Sequence, residues 1–309
     1  MPPTLGQNQY GKAETRVVRV TREGPVHHVR DLNVSVALSG DMADVHLRGS
    51  NAGVLTTDTT KNTVYAFARE HGISSPEAFA ALLARHFVTS QPAIHRARLR
   101  VEEYAWDRVP VPGEAAHSFV RSGRGVRTAQ VTYADDAPED RAWEVLSGVS
   151  GVTVMNTTDS EFSGYVEDRW TTLPETTDRV LATDVTALWR QADTGAPDPA
   201  RDWDAEHADA TRHLLDAFAG TYSYSLQQTL FAMGSRVLEQ RPEVAEIRLS
   251  LPNKHHFAVD LTPFGMENEG PDGAVYFAAD RPYGLIEATV LRDGADARIP
   301  ADLTARTFG

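Results

Sequence analysis

Two neighbouring histidines are the first residues in this sequence whose type and position suggest chemistry. They follow an apolar run in the stretch LPNKHHF, residues 251–257. Histidine titrates near neutral pH, so it can relay protons or bind a metal. Alternation along a predicted strand places Asn253 and His255 on its apolar face, unless Pro252 shifts the register. His255 is therefore either a hydrogen-bonded core residue or a functional one, whereas His256 points to the opposite face.

A second polar cluster lies in the stretch LTTDTTKNTVY, residues 55–65. It precedes a helix that we expect from about residue 62 to residue 71. Thr60 is the predicted N-cap, and Asp58 suits the positive end of the helix dipole. Capping alone does not account for Thr57. The competing interpretation is a solvated, threonine-rich turn.

Three further positions are typical of a pocket for a planar anion. Arg179 ends the stretch TTLPETTDR, and Phe162 lies in the turn-rich stretch DSEFSGY. An arginine fork beside an aromatic face suits such a ligand, although surface arginines and core phenylalanines are commoner. Gln227 falls in the first turn of a helix that Ser225 is expected to cap, where unpaired N–H groups can hold an anion or a carbonyl oxygen.

The composition excludes several classes of function. A formal charge of −13 disfavours nucleic acid and anionic membranes as partners, and the absence of cysteine excludes disulfides, thiolate nucleophiles and cysteine-ligated metals. Nucleotide-binding, hydrolase and zinc-protease motifs do not occur. We therefore expect no metal. The N-terminus lacks a signal pattern and the C-terminal ARTFG is not the peroxisomal tripeptide, so the expected location is the cytoplasm.

Both halves of the chain show strands, then two helices, then strands. In the first half, strands are predicted at 15–22, 26–40, 42–50, 94–107, 117–122 and 126–133, and a second helix starts at Pro76 after the N-cap Ser75. In the second half, strands are predicted at 149–158, 180–191, 244–251, 255–261 and 285–291, with helices at 204–219 and 225–240.

The acidic stretch ADDAPEDRA, residues 134–142, contains Pro138 and lacks apolar periodicity. We place the domain boundary there, which gives domains 1–137 and 138–309. The repeated order predicts tandem α+β domains, each with an antiparallel four-stranded sheet and two helices on one face. A sheet whose other face is apolar needs a partner, so we also expect oligomerisation.

Six segments, taken together and in order, resemble the urate oxidase (uricase) family. They are YGK at 10–12, TTDTTKNTVY at 56–65, FSGY at 162–165, TTLPETTDR at 171–179, SLQQT at 225–229 and SLPNKHHF at 250–257. The resemblance covers nearly the whole chain. It implies the tunnelling fold (T-fold), in which subunits close their sheets into barrels. It further implies a homotetramer with active sites at subunit interfaces.

The resemblance also implies a reaction: oxidation of urate by O₂ and water to 5-hydroxyisourate and hydrogen peroxide, without a metal or organic cofactor. Lys12, Thr57 and His255 would form the proton relay. Lys12 would be the base, with its pKa lowered by burial, and would act through the Thr57 hydroxyl. His255 would tune this pair and pass the proton on.

The remaining family positions are implied to bind the substrates. Phe162 would stack on urate, Arg179 would grip one edge of the ring, and Gln227 would match the neighbouring edge. Asn253 and Thr57 would hold O₂ or water above the ring. Backbone N–H groups of Thr57, Asp58 and Leu226 would add contacts.

Two alternatives remain open. The first is a pterin- or purine-processing T-fold relative, such as a cyclohydrolase or a nitrile reductase, but those enzymes generally rely on cysteine. The second is a non-catalytic purine-binding barrel. The complete Lys12, Thr57 and His255 group disfavours it.

Overall fold

The helices and strands of this α+β fold follow the polar and apolar patterns of the sequence. The computed structural model describes residues 3–110, 117–138, 141–268 and 273–301. The strands are β1 Tyr10–Glu23, β2 Val26–Gly40, β3 Ile94–Glu103, β4 Trp106–Arg108, β5 Phe119–Arg121, β6 Val126–Ala134, β7 Trp143–Asn156, β8 Leu181–Gln191, β9 Val244–Ala258 and β10 Tyr276–Leu291. The helices are α1 Ala43–Arg48, α2 Thr57–Glu70, α3 Pro76–Ser90, α4 Trp203–Gly220 and α5 Leu226–Gln240. Among the described residues, these helices are too short or too polar to cross a membrane.

The chain divides into two compact units. Unit 1 comprises Met1–Val149 and Trp189–Ala208, and unit 2 comprises Ser150–Leu188 and Asp209–Gly309. The boundary predicted after residue 137 stays a prediction. Residues 139 and 140 of that acidic stretch lie outside the described residues, as does the C-terminal stretch ARTFG.

In unit 1, β1, β2, β3 and β6 pair in that order, each antiparallel to its neighbour. Helix α2 packs against β1, and α3 packs against β3 and β6. Alternate residues of β3 are buried, as expected for a strand with one face against helices. The other face of β3 carries its charged residues.

In unit 2, the strand order is β7, β8, β9, β10, and α5 packs against β9 and β10. The approach of α5 is close at Gly234, where an added Cβ would lie 2.6 Å from Val290 Cγ2. Glycine therefore lets the middle of α5 come near the sheet. The pairing of β9 with β10 shifts between Ala279 and Gly284. The irregularity is thus on β10, and β9 runs without a break through Pro252.

Helix α2 begins earlier than the sequence pattern suggested, and the predicted cap was wrong. Thr56 is the N-cap, because its Oγ1 accepts a hydrogen bond from the Thr59 N–H at 3.0 Å. Thr60 is fully buried, and its hydroxyl donates to the Thr56 carbonyl at 3.2 Å. Thr56 therefore caps the helix, and Thr57, Thr59 and Thr60 lie in its first turn.

Other element boundaries also differ from the sequence prediction. The strand expected at 42–50 is helix α1, which Gly49 ends in the left-handed conformation with φ 68°. The strand expected at 94–107 ends at Glu103, and β4 pairs instead with β5 in a separate two-stranded sheet. The strands expected at 244–251 and 255–261 are one strand, β9.

A buried ion cluster joins two helix starts in unit 1. Arg127 on β6 donates to Glu77 of α3 and to Asp204 of α4, each at 2.6 Å. The Ser147 hydroxyl donates to the other Glu77 oxygen at 2.7 Å. Burial raises the pKa of Glu77 and outweighs the opposing charge of Arg127. Both Glu77 oxygens and both terminal nitrogens of Arg127 therefore have partners, while Arg127 Nε has none among the described residues.

His207 of α4 lies beside this cluster and stays neutral in the folded protein. Burial, and then the charge of Arg127, lowers its pKa to about 4, against the opposing effects of its hydrogen bond to the Gly148 carbonyl and of Asp204. His207 Nε2 lies 3.0 Å from that carbonyl. Below the ordinary pKa near 6.5 only the unfolded chain gains a proton here. Stability should therefore fall as pH decreases from about 6.5 to about 4.

We expect His207→Gln to flatten this slope, because glutamine keeps a donor for Gly148 but does not titrate. Between pH 7 and pH 5 the wild-type protein should lose about 2 kcal/mol through this group. Denaturant unfolding of both proteins at the two pH values measures the difference. The matched control is His28→Gln, since His28 is an exposed histidine. Equal slopes for wild type and His207→Gln would contradict the assignment.

Candidate active site

Lys12 lies on β1 beside a β-bulge. It is opposite Val36, and the register then shifts between Lys12 and Thr15. Within the bulge, Glu14 has φ 56°, and its N–H donates to Ser35 Oγ at 3.0 Å. Bulges redirect side chains and recur next to active sites. Lys12 is half-buried at this point.

Gly11 explains how β1 can approach β2 next to Lys12. A Cβ at this position would lie 1.9 Å from the Val36 carbonyl oxygen and 3.2 Å from Ala37 Cα. Both are backbone atoms, so no rotamer change relieves the contact. Position 11 therefore requires glycine, because β1 and β2 approach too closely there for a Cβ atom.

Tyr10 connects the strand of Lys12 to the segment that precedes Thr57. Its hydroxyl accepts a hydrogen bond from the Leu55 N–H at 2.8 Å. A cavity of about 410 Å³ is lined by Tyr10, Thr56 and Thr57 among others. Our sequence reasoning did not select Tyr10. Its signal is the spacing in YGK, because residues two apart on a strand share a face.

The other two candidate residues of unit 1 lie at the start of α2. Thr57 and Asp58 are both exposed in the first turn. The Asp58 carboxylate accepts from Lys61 Nζ at 2.6 Å and from the Asn62 amide at 3.0 Å. Lys61 first, then Asn62 and the charge of Lys12, lower the pKa of Asp58. Lys12 is therefore close enough to act electrostatically on the helix start that carries Thr57.

In unit 2, Arg179 lies over the ring of Phe162. Its Cζ is 5.3 Å from the ring centroid. The Phe162 backbone pairs with Thr176, with N–H to carbonyl distances of 2.8 and 3.1 Å in the two directions. Burial lowers the pKa of Arg179, although the group remains charged at neutral pH. A fixed cation beside an aromatic face is the arrangement that the sequence suggested.

Ser160 holds Arg179 in place. Its carbonyl accepts from the Arg179 N–H at 2.9 Å, and its hydroxyl accepts from Nε at 3.2 Å. Ser160 is fully buried and pairs with Ser223, whose hydroxyl accepts from Thr229 of α5 at 2.8 Å. Our sequence reasoning did not select Ser160. The only indication of Ser160 in the sequence is weak: it is a small polar residue two positions before Phe162.

These contacts tie Arg179 to the start of α5. Ser225 is the N-cap, as predicted, and accepts from the Gln228 N–H at 3.2 Å. Leu226 is 2% exposed, whereas Gln227 is exposed. The side chain of Leu226 therefore anchors the first turn of α5 in the core, and the side chain of Gln227 is exposed to solvent.

His255 lies in the electrostatic neighbourhood of Arg179. Burial lowers its pKa, and the charges of Arg179 and His256 lower it further. Its ring stacks on Phe257 at 5.6 Å with an interplanar angle of 15°, as expected for residues on one strand face. Asn253 is half-buried opposite Gly284. A neutral His255 can accept a proton at neutral pH.

The two residues that flank His255 on β9, Lys254 and His256, make a separate set of contacts. Lys254 Nζ lies 2.7 Å from the Asp184 carboxylate, which also accepts from the Thr153 hydroxyl at 2.6 Å. His256 Nδ1 lies 3.1 Å from the Lys254 carbonyl. Lys254 is thus engaged in a structural ion pair.

The predicted residues therefore form two groups. Lys12, Thr57 and Asp58 are together in unit 1. The group in unit 2 comprises Phe162, Arg179, Leu226, Gln227, Asn253 and His255. The individual catalytic and binding roles stay predictions. No group of three or more metal-ligating side chains with metal-site geometry occurs among the residues that the structure describes.

Comparisons with known proteins agree over nearly the whole chain. The model of the Uricase family matches residues 8–132 and 145–287. The chain is 47% identical to Uricase from Arthrobacter globiformis over 298 residues, which are 96% of this chain and 92% of that protein. It is 33% identical to Uricase from Aspergillus flavus, covering 94% of this chain and 98% of that one.

Solved structures show the same relationship. The crystal structure of Uricase from Arthrobacter globiformis superimposes with a TM-score of 0.87 at 46% identity, covering 97% of this chain and 99% of that chain. Urate oxidase from Bacillus sp. TB-90 gives a TM-score of 0.79 at 22% identity, over 93% of this chain and 100% of that chain. The second likeness concerns the fold alone.

We expect Gly11→Ala to destabilise the protein by roughly 3 kcal/mol or more, because the new methyl group meets backbone atoms on β2. Denaturant unfolding measures the change. The matched control is Gly123→Ala, since a Cβ at Gly123 would meet nothing within 4 Å. Stabilities that fall equally in both variants would show that the close approach at Gly11 is not the cause.

Proposed function

The chain belongs to the uricase family, and on this premise we propose that it converts urate, O₂ and water to 5-hydroxyisourate and hydrogen peroxide. Two electrons leave urate and reduce O₂ to peroxide, while water supplies the new hydroxyl oxygen. The proposal rests first on family membership. It is supported by the grouping of Arg179, Phe162 and His255 in unit 2.

Substrate binding uses the aromatic and cationic pair. Urate stacks on Phe162, and the planar guanidinium of Arg179 donates two parallel hydrogen bonds to one edge of the ring. The contacts from Ser160 support this role because they fix the arginine before the ligand arrives. Gln227 and the Leu226 N–H, both in the first turn of α5, meet the adjacent edge.

Proton removal activates the substrate. Lys12 is the base and acts through the Thr57 hydroxyl, with His255 as the group that tunes the pair and passes the proton on. The lowered pKa of His255 supports this role, since a neutral imidazole can take up a proton. The Thr57 and Asp58 N–H groups contact the substrate.

Electron transfer then needs no metal or organic cofactor. O₂ accepts electrons one at a time, and deprotonated urate is electron-rich enough to supply the first. Asn253 and Thr57 hold O₂, and then water, above the ring. The protein contributes orientation and fixed charges, which are the larger part of many enzymatic rate enhancements.

We further propose a homotetramer of tunnelling-fold subunits with active sites at subunit interfaces. Exposed apolar residues on the edge strand β10 support association, among them Phe277 at 64% and Leu285 at 51% exposed. Unpaired edge strands favour pairing with another chain. A cytoplasmic location stays a prediction.

The purified protein should consume urate and O₂ and release peroxide in equal amounts, with the rate unchanged by EDTA. Lys12→Arg should lower kcat by about 10²-fold or more, because arginine keeps the charge but cannot act as a base at neutral pH. Urate absorbance, an oxygen electrode and a peroxide assay measure the three species. Turnover that requires added metal would contradict the cofactor-free reaction.

Thr57 allows a matched pair of variants. Thr57→Val removes the hydroxyl at nearly constant volume, whereas Thr57→Ser retains it. Since Thr57 is exposed, neither change should alter folding much. We expect kcat to fall by about 10²-fold in the valine variant and to stay within a few fold in the serine variant. Equal activities would remove Thr57 from the relay.

Arg179→Lys should raise KM about 10-fold or more, because lysine keeps the charge but loses the paired donors. The matched control is Arg169→Lys, since Arg169 also lies over an aromatic ring, that of Trp170 at 4.5 Å. Steady-state kinetics with urate give both constants. An unchanged KM in Arg179→Lys, or an equal rise in the control, would oppose the assigned grip.

A further inference from the structure

Three arginines form a ladder along one face of β3. Arg96, Arg98 and Arg100 alternate with Ala97 and Leu99, which are fully buried. The buried face packs against α3, so the arginines lie on the opposite face of the sheet in unit 1. We call Arg96, Arg98 and Arg100 the arginine ladder.

The neighbouring strands leave the ladder uncovered. Residues opposite it on β2 are Ser39, Ala37 and Ser35, and residues opposite it on β6 are Ala134, Thr132 and Gln130. Nearly all of these side chains are short. Arg96 and Arg100 are exposed, and Arg98 is half-buried. The guanidinium groups are therefore open to a ligand from the side away from the helices.

The contacts of the ladder are with neutral groups. Arg98 donates to the amide oxygen of Gln9 at 3.0 Å, and Arg100 donates to that of Gln130 at 2.7 Å. Among the described residues, no carboxylate forms an ion pair with the ladder. Arg127, on the next strand of the same sheet, pairs with Glu77 and Asp204 instead.

The ladder concentrates positive charge in a chain whose formal charge is −13. Residues two apart on a strand are separated by roughly 7 Å, so the three charges repel one another. Burial and then the charges of Arg100 and Arg96 lower the pKa of Arg98. Two acids are nearby: Asp136 lines the adjoining cavity, and Glu102 accepts from Tyr104 at 2.8 Å. An anion on the ladder would relieve the repulsion.

The ladder adjoins the candidate site of unit 1. Arg96 and Arg98 line a cavity of about 720 Å³ together with Asn8 and Gln9. Asn8 and Gln9 also line the smaller cavity that contains Thr57. The same two residues therefore border both the ladder and the pocket beside the predicted proton relay.

We propose that the arginine ladder is a binding surface for the urate anion, which it holds before the substrate enters the active site. The inference rests on the proposed function, because urate is the anion that this enzyme must collect. Urate is negatively charged at neutral pH, so the three positive charges of the ladder attract it over a distance and no paired hydrogen bonds are needed. A local basic surface on an acidic protein raises the rate of capture of an anion and is weakened by salt.

The test compares two triple variants that lower the net charge equally. The ladder variant is R96Q/R98Q/R100Q. The control is R22Q/R48Q/R69Q, which changes three exposed arginines elsewhere in unit 1. Urate turnover is measured at ionic strengths of about 0.01 M and about 1 M, where charges act over about 30 Å and about 3 Å. A third variant, R96K/R98K/R100K, keeps the charge.

At low ionic strength we expect kcat/KM of the ladder variant to be about 5- to 10-fold below that of wild type, with kcat unchanged. The difference should disappear at high ionic strength. The lysine variant and the control should stay within about twofold of wild type.

Two results would overturn the inference while leaving the proposed function intact. One is an active wild type with equal kcat/KM in the ladder variant and the control. The other is a loss in the ladder variant that persists at high ionic strength with a lower kcat, which would indicate a structural role. A wild type without urate turnover would overturn the proposed function, and this inference with it.

Discussion

The geometry of the candidate site in unit 2 depends on one buried serine. Ser160 accepts hydrogen bonds from both the backbone and the side chain of Arg179, so it fixes the position and the direction of the guanidinium together. Its pairing with Ser223 extends this order to α5, because Ser223 also accepts from Thr229. Ser160, Ser223 and Thr229 are fully buried and hydrogen-bonded, which makes their displacement costly. Arg179, Phe162 and the first turn of α5 therefore form one preorganised set.

The electrostatics of this set follow from burial. Burial lowers the pKa of Arg179, but a guanidinium stays protonated at neutral pH, so its charge acts on neighbours through a medium less polar than water. Burial first, and then the charge of Arg179, lowers the pKa of His255, which favours its neutral imidazole. In unit 1, Lys61 first and Lys12 to a smaller extent likewise lower the pKa of Asp58, which keeps that carboxylate charged. An anion beside Arg179 would offset part of the positive charge that, after burial, lowers the pKa of His255.

The sequence predicted the α+β class, the N-caps Ser75 and Ser225, and the shared strand face of Asn253 and His255, because these depend on local periodicity and short-range hydrogen bonds. It did not predict α1, which is too short for a periodic signal, or the true N-cap Thr56, since four nearby threonines compete for that role. Ser160 and Tyr10 were missed for a different reason. Their partners, Arg179 and Leu55, are 19 and 45 residues away, so no local pattern marks them.

The two long helices of the N-terminal half show why one helix start is available for binding and the other is not. At the start of α3, Glu77 is fully buried, and its carboxylate is occupied by Arg127 and Ser147. At the start of α2, Thr56 satisfies the Thr59 N–H, while Thr57 and Asp58 remain exposed beside Lys12. Both starts carry an acid where the helix dipole favours one. Only at α2 is the acid held by side chains of its own helix, so the first turn keeps its shape without being covered. That difference in burial, rather than any difference in helix propensity, makes the threonine cluster suitable for a ligand.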